Sequence, residues 1–269
     1  MGKIRHKRIH KKGLPPGTLI YTGHRVEKPS LTVSTWYNES DYSEREGYVP
    51  EWRNRDKGIT WTDVRSLTDA ALVAQIGNDF NLHPLALEDV LNTQQRAKME
   101  EYDNFLFFIV YNFRLDVANL ELNSEQIAVF MGPNFVVSFQ EDPDDNFQNI
   151  RKRAQEGAGR IRKKQTDYLT YNILDTVIDH YYLVLDDIEA QLQELESAMY
   201  SNGAEPVFKG RIYDLKRVIN QFRHRVLPLR DAILRFYRSE CPFIDDSNRP
   251  YLRDLADHVA QILDGIDNY

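Results

Sequence analysis

The chain has 269 residues, with 34 Lys and Arg against 41 Asp and Glu, a net charge of −7. Hydrophobic residues make up 42% and aromatic residues 12%, which supports a packed core and excludes a chain disordered throughout. The acidic balance speaks against a nucleic-acid binder, which carries a basic face, while Cys241 as the single cysteine excludes a disulfide framework and a Cys-based zinc site and fits a reducing compartment.

The first twelve residues carry Lys3, Arg5, Lys7, Arg8, Lys11 and Lys12. They read as a solvated basic tail, with contact to anionic lipid headgroups as the sharper alternative, at ~1 kcal/mol per basic residue. No apolar stretch follows them, so no secretory signal is expected. Residues 18–23, 31–37 and 58–64 read as strands, with Gly, Pro and polar clusters between them. Residues 70–80 and 84–91 read as short helices, the second with Pro84 at its first position. Residues 105–115 and 124–131 are longer strands joined by a polar turn at 116–119. Gly132-Pro133-Asn134 turns the chain into a further strand at 135–140, and a third helix is expected over 144–156. The longest apolar run, Phe105 to Tyr111, has seven residues, against ~20 for a membrane span. Strands mixed with helices predict an α/β fold of packed layers.

From about residue 160 the texture is helical. Leu174, Ile178, Tyr181, Leu185, Ile188, Leu192, Leu195 and Met199 follow at steps of four and three. After Gly203 and Pro206, Ile212, Leu215, Ile219, Phe222, Val226, Leu229, Ile233 and Phe236 repeat the seam. This predicts a long antiparallel helical hairpin, kinked or locally unbonded at Pro228. A polar linker over 239–250 leads to a last helix, with Leu252, Leu255, Val259, Ile262, Ile266 and Tyr269 along one side. Asp254, Asp257, Gln261, Asp264 and Asn268 line the other. No closing Gly or basic last turn appears, so this helix is expected to continue past Tyr269.

Walker, dinucleotide, HExxH and nucleophile-elbow motifs are absent. No nucleophile or histidine base stands in a catalytic context, so the chain does not read as an enzyme. What remains is carboxylate: Glu88 beside Asp89, Asp175 with Asp179, and Asp254 with Asp257. Magnesium keeps several waters and takes one or two carboxylates, so acids on separate helices could converge on it, although acidic pairs on helices are ordinarily solvated faces or salt bridges. Asp175 stands out, because it flanks the apolar positions Leu174 and Val177 and is expected to be partly buried, where an unpaired charge is costly. A third class, a helical module binding a partner protein through its seams, would need those seams exposed.

Four segments resemble the CorA family of magnesium and cobalt channels: Lys12 to Gly23 (KGLPPGTLIYTG), His83 to Asn92 (HPLALEDVLN), Arg160 to Tyr171 (RIRKKQTDYLTY) and Pro250 to His258. In family order, they span nearly the whole chain. The resemblance implies a cytoplasmic α/β/α sandwich over 13–160, a long helical hairpin over 161–240 and, over 248–269, the start of a stalk helix leading to membrane helices that this sequence lacks. It implies a homopentamer on the inner side of the cell membrane, reaching the bilayer through those C-terminal helices alone. It further implies that Mg2+, with Co2+ as a second cation, binds between neighbouring subunits and favours the closed state. The sensing acids carry over onto Asp89 of one subunit and Asp254 of the next, with a second site at Glu88 and Asp175. Zinc transporters of the same superfamily share the architecture and are the alternative.

Overall fold

A computed structural model describes residue 13 and residues 15–23, 29–55, 57–202 and 206–269; the basic tail lies outside the described residues. Seven strands form one sheet: β1 (Leu31–Tyr37), β2 (Tyr42–Glu46), β3 (Ile59–Arg65), β4 (Lys98–Glu101), β5 (Leu106–Asp116), β6 (Glu121–Met131) and β7 (Phe135–Gln140). Their order is β2-β1-β3-β7-β6-β5-β4. Every neighbouring pair is antiparallel except β3 and β7, which run parallel. The helices are α1 (Ala70–Asp79), α2 (Pro84–Leu91), α3 (Gln148–Glu156), α4 (Thr166–Asn202), α5 (Pro206–Arg238) and α6 (Arg249–Asp267).

Strand alternation assigns the layers. Register places Asp63, Ser138, Val129 and Phe108 in one row across four strands, and side chains in one row share a face. On that face Arg151 of α3 meets Asp63, and Phe236 of α5 packs on Phe108 at 4.8 Å. The opposite face carries Phe135, Phe130 and Phe107. There Phe80, at the end of α1, meets Phe135 at 4.8 Å, and Gln126 Nε2 donates to the α2 carbonyls of Asp89 and Val90. The result is the expected α/β/α arrangement, with helices on both faces of a mixed sheet.

The 37 residues of α4 span ~55 Å at 1.5 Å per residue. They pair antiparallel with α5 through Tyr181 and Phe222, whose rings sit 5.7 Å apart and both meet Phe113 of β5. The seams are filled along most of the hairpin. Towards its far end, where α4 and α5 run past α6, Leu192, Leu195, Met199, Ile212, Leu215 and Ile219 border an open groove of about 750 Å³.

Three details differ from the sequence reading. Residues 18–23 are extended but form no strand. Their backbone bonds are a local turn from Thr18 N–H to the Pro15 carbonyl (3.3 Å) and a single bond from Thr22 N–H to the Leu91 carbonyl at the end of α2 (2.9 Å), which make no ladder. β2 and β4 were not expected. Both are sheet edges; β2 has no buried residue and β4 buries Met99 alone, so neither shows an apolar alternation. α3 begins at Gln148 rather than 144, because Asp145 turns its side chain back to accept the Phe147 N–H. Pro228 lies inside α5, as the sequence reading has it, with Val226, Leu229, Ala232 and Ile233 buried around it; that packing offsets the hydrogen bond a proline cannot donate.

Candidate metal-binding site

α2 starts at His83, whose Nδ1 accepts the Leu85 N–H at 3.2 Å, with Pro84 in the first turn. Its inner face buries Ala86, Leu87, Val90 and Leu91. At 3.6 residues per turn this leaves Leu85, Glu88 and Asp89 on the outer side. Glu88 Oε2 accepts the Gly17 N–H at 2.7 Å. Gly17 has φ +81°, and a Cβ there would stand 3.2 Å from the Pro84 Cβ, so the loop approaches α2 closely because that residue is glycine. Asp89 accepts from Gln95 Nε2 at 2.7 Å and from Lys98 Nζ at 2.6 Å. Lys98 also reaches Glu100 Oε1 at 2.7 Å, and its ammonium lies 5.4 Å from the Phe107 ring centre. Burial works against the charge on Lys98, but the two carboxylates outweigh it and hold its pKa above the ordinary lysine value.

The other acids lie across the sheet from α2. Thr166 fixes the start of α4 by donating to the Gly132 carbonyl at 2.7 Å. Asp167, fully buried, accepts the Asp245 N–H at 2.8 Å and both oxygens accept from Asn248 Nδ2 at 2.9 Å. This clamp ties the start of α6 to the start of α4 and sets their register. Tyr251 then packs on Tyr168 and Tyr171, and His258 comes alongside Asp175. Further on, Gly265 lets the helices close up: a Cβ there would stand 3.1 Å from Leu185 Cδ1.

In this register His258 Nδ1 lies 3.4 Å from Asp175 Oδ1 and Nε2 lies 3.8 Å from Asp254 Oδ2. Neither contact has hydrogen-bond geometry, and the buried atoms Asp175 Oδ1 and His258 Nδ1 have no such partner. Burial and the neighbouring Asp179 push the Asp175 carboxyl up, with Asp254 adding to them and His258 opposing. Burial and the same acids raise the Tyr171 phenol. Asp175 is thus a half-buried carboxylate crowded by Asp179, Asp254, Tyr171 and His258, and carboxylate oxygens are the donors that hard dications take.

A single chain thus brings Asp175 and Asp254 together and holds Glu88 and Asp89 apart from them, on α2 beyond the sheet. Among the described residues no group of three or more His, Cys, Asp or Glu could hold a metal ion. Sequence reasoning missed His258, although its spacing of four from Asp254 puts both on one helix face. It also missed Lys98, which lies on the unexpected strand β4.

The family model described as CorA-like Mg2+ transporter protein matches residues 56–269. The chain belongs to the CorA family. It is 34% identical over 264 residues to the cobalt/magnesium transport protein CorA of Thermotoga maritima, covering 96% of this chain and 74% of that protein. Among solved structures it is similar to the soluble domain of CorA from Methanocaldococcus jannaschii, with TM-score 0.71, 17% identity, and 88% and 91% of the two chains covered. It is also similar to the ZntB cytoplasmic domain from Vibrio parahaemolyticus, with TM-score 0.64, 15% identity, and 87% and 91% covered. These two likenesses establish the CorA soluble-domain fold. Among the described residues no helix is long and apolar enough to cross a membrane.

Proposed function

We propose that the chain is the metal-sensing, regulatory part of a CorA-type divalent-cation channel for magnesium and cobalt. In this reading it acts on the cytoplasmic side of the membrane as one subunit of a homopentamer and catalyses no reaction. Residues 13–160 form its sandwich unit, 161–240 its hairpin and 248–269 the start of a stalk leading to the membrane part. A dication held between α2 of one subunit and α4 and α6 of the next favours the closed state. The observation that supports this most is the separation of the acids: Glu88 and Asp89 point outward on one flank, Asp175 and Asp254 on another, with an unbonded oxygen on Asp175. Facing across an interface, these like charges repel, and a dication between them turns repulsion into attraction. When the metal leaves, the interface loosens, which makes the assembly a two-state element biased by its ligand. Calorimetric titration with magnesium chloride tests this: Asp89→Ala and Asp254→Ala should each weaken binding, and unchanged binding in both would refute it.

A second reading is a related zinc transporter, favoured by His258 between the two carboxylates, since imidazole suits zinc and cobalt better than magnesium. Weaker zinc than magnesium binding in the same titration would set it aside.

A further inference from the structure

Both oxygens of Asp89 are engaged by side chains of its own chain. One oxygen accepts from Gln95 at 2.7 Å and the other takes the Lys98 ammonium at 2.6 Å. Lys98 is about three-quarters buried, its side chain 24% exposed against 22% for Asp89. It has a second anchor, Glu100, at 2.7 Å, which in turn accepts from the Tyr102 hydroxyl at 3.1 Å. The ammonium therefore sits between two carboxylates on different elements, α2 and β4. One of them belongs to the proposed metal site and the other does not. A hydrated dication approaching Asp89 meets a positive charge already at contact distance, and like charges at such range repel more strongly when partly shielded from water.

We propose that Lys98 is a built-in competitor for the metal at Asp89, an affinity-setting residue that neutralises this acid when the cation is gone and moves onto Glu100 when it binds. This deepens the metal-sensing reading and rests on it. Three consequences follow from the geometry. The metal-free interface is less repulsive than four bare carboxylates imply, because one is internally paired. Magnesium must do more than fill an empty site, so its apparent affinity is lowered by the cost of displacing the ammonium. Selectivity also benefits: a monovalent cation carries the same charge as the ammonium it would displace and gains nothing by the exchange, whereas a dication does.

The test is a calorimetric titration of the 269-residue chain with magnesium chloride, at a concentration where sedimentation shows association. Wild type is compared with Lys98→Met, Asp89→Ala and Arg96→Gln. Lys98→Met keeps an unbranched apolar stem and removes the charge, together with the ammonium's contact with the Phe107 ring. Arg96 is an exposed neighbour with no ion pair among the described residues, so Arg96→Gln removes an equal charge without touching Asp89. Lys98→Met should tighten magnesium binding by about tenfold, the equivalent of ~1.4 kcal/mol, with Arg96→Gln shifting it less than about twofold. Unchanged or weaker binding in Lys98→Met, alongside weakened binding in Asp89→Ala, overturns the competitor role and leaves the sensing site standing. Equal gains in Lys98→Met and Arg96→Gln also overturn it, because the effect is then bulk charge. No response in Asp89→Ala overturns both. As a readout separate from affinity, circular dichroism confirms that each variant stays folded.

Discussion

Asp175→Asn should change the sign of its effect on stability with the metal present. In chelator the Asp175 carboxylate is a liability: burial and Asp179, one helical turn away, both disfavour its charge. A like-charge pair at that spacing costs about 0.2–0.5 kcal/mol, and a half-buried carboxylate with an unbonded oxygen adds a similar or larger desolvation cost. The isosteric amide removes these costs, so the variant should be more stable than wild type by about 0.5–1 kcal/mol, a rise of roughly 1–3 °C in Tm for a chain of this size. At magnesium tenfold above its Kd, the wild type gains RT ln 11, about 1.4 kcal/mol. The variant loses a ligand and gains less, so the order of the two melting points should reverse. Differential scanning fluorimetry in chelator and across a magnesium series reads this directly. A variant that is less stable in chelator, or that gains as much from magnesium as wild type, refutes the reasoning.

Arg151→Met should cost about 3–5 kcal/mol at pH 7, because it strands the buried Asp63, which Arg151 NH1 meets at 3.1 Å. Burial already pushes the Asp63 carboxyl up against the pull of Arg151, Ser138 and Gln140. A carboxyl raised in the folded state holds its proton there at pH values where the unfolded chain has released it, so stability falls as pH rises and returns as pH falls. Urea titrations followed by tryptophan fluorescence should therefore show the penalty shrinking as pH drops towards ~4; a penalty constant with pH contradicts the assignment. Tyr181→Phe removes the buried hydroxyl that donates to the Tyr111 carbonyl and should lower stability by about 1 kcal/mol, with the urea m-value and magnesium binding unchanged. A shift in magnesium binding would mean that the hairpin contact reaches the site.

The legible and illegible parts of the molecule divide by how much each residue is used by its own element. α4, α5 and α6 were readable because one face of each is buried at steps of three and four over many turns, and the inward-facing strand positions of β5, β6 and β7 are apolar almost without interruption. β2 and β4 were not, since an edge strand held by one neighbour needs no apolar face and its Tyr-Ser-Glu-Arg-Glu or Lys-Met-Glu-Glu reads as loop. The acids of the candidate site stood out in the sequence as adjacent or helix-spaced carboxylates, and their grouping into two sites between subunits came from the resemblance. Spacing alone leaves Asp89 and Asp254 as ordinary polar positions, and the contacts that distinguish them are long-range. Lys98 comes to Asp89 through the β4–β5 pairing, and His258 comes to Asp175 through the Asp167–Asn248 clamp, 81 residues apart in the chain.

The parallel junction between β3 and β7 has a consequence for the order of assembly. β4 to β7 are antiparallel neighbours, and β5 and β6 are joined by a turn in which Asp116 accepts the Ala118 and Asn119 N–H groups, so this half of the sheet can form by short-range closure. β1, β2 and β3 pair among themselves with equally local contacts. The two halves meet at β3 and β7, where Asp63 and Ser138 bond across 75 residues. Closing that loop costs chain entropy before any contact returns it. The sheet is therefore two local units welded by one distant ladder, and the buried Asp63–Arg151 pair sits at the weld, where it rewards the correct register and penalises a slipped one.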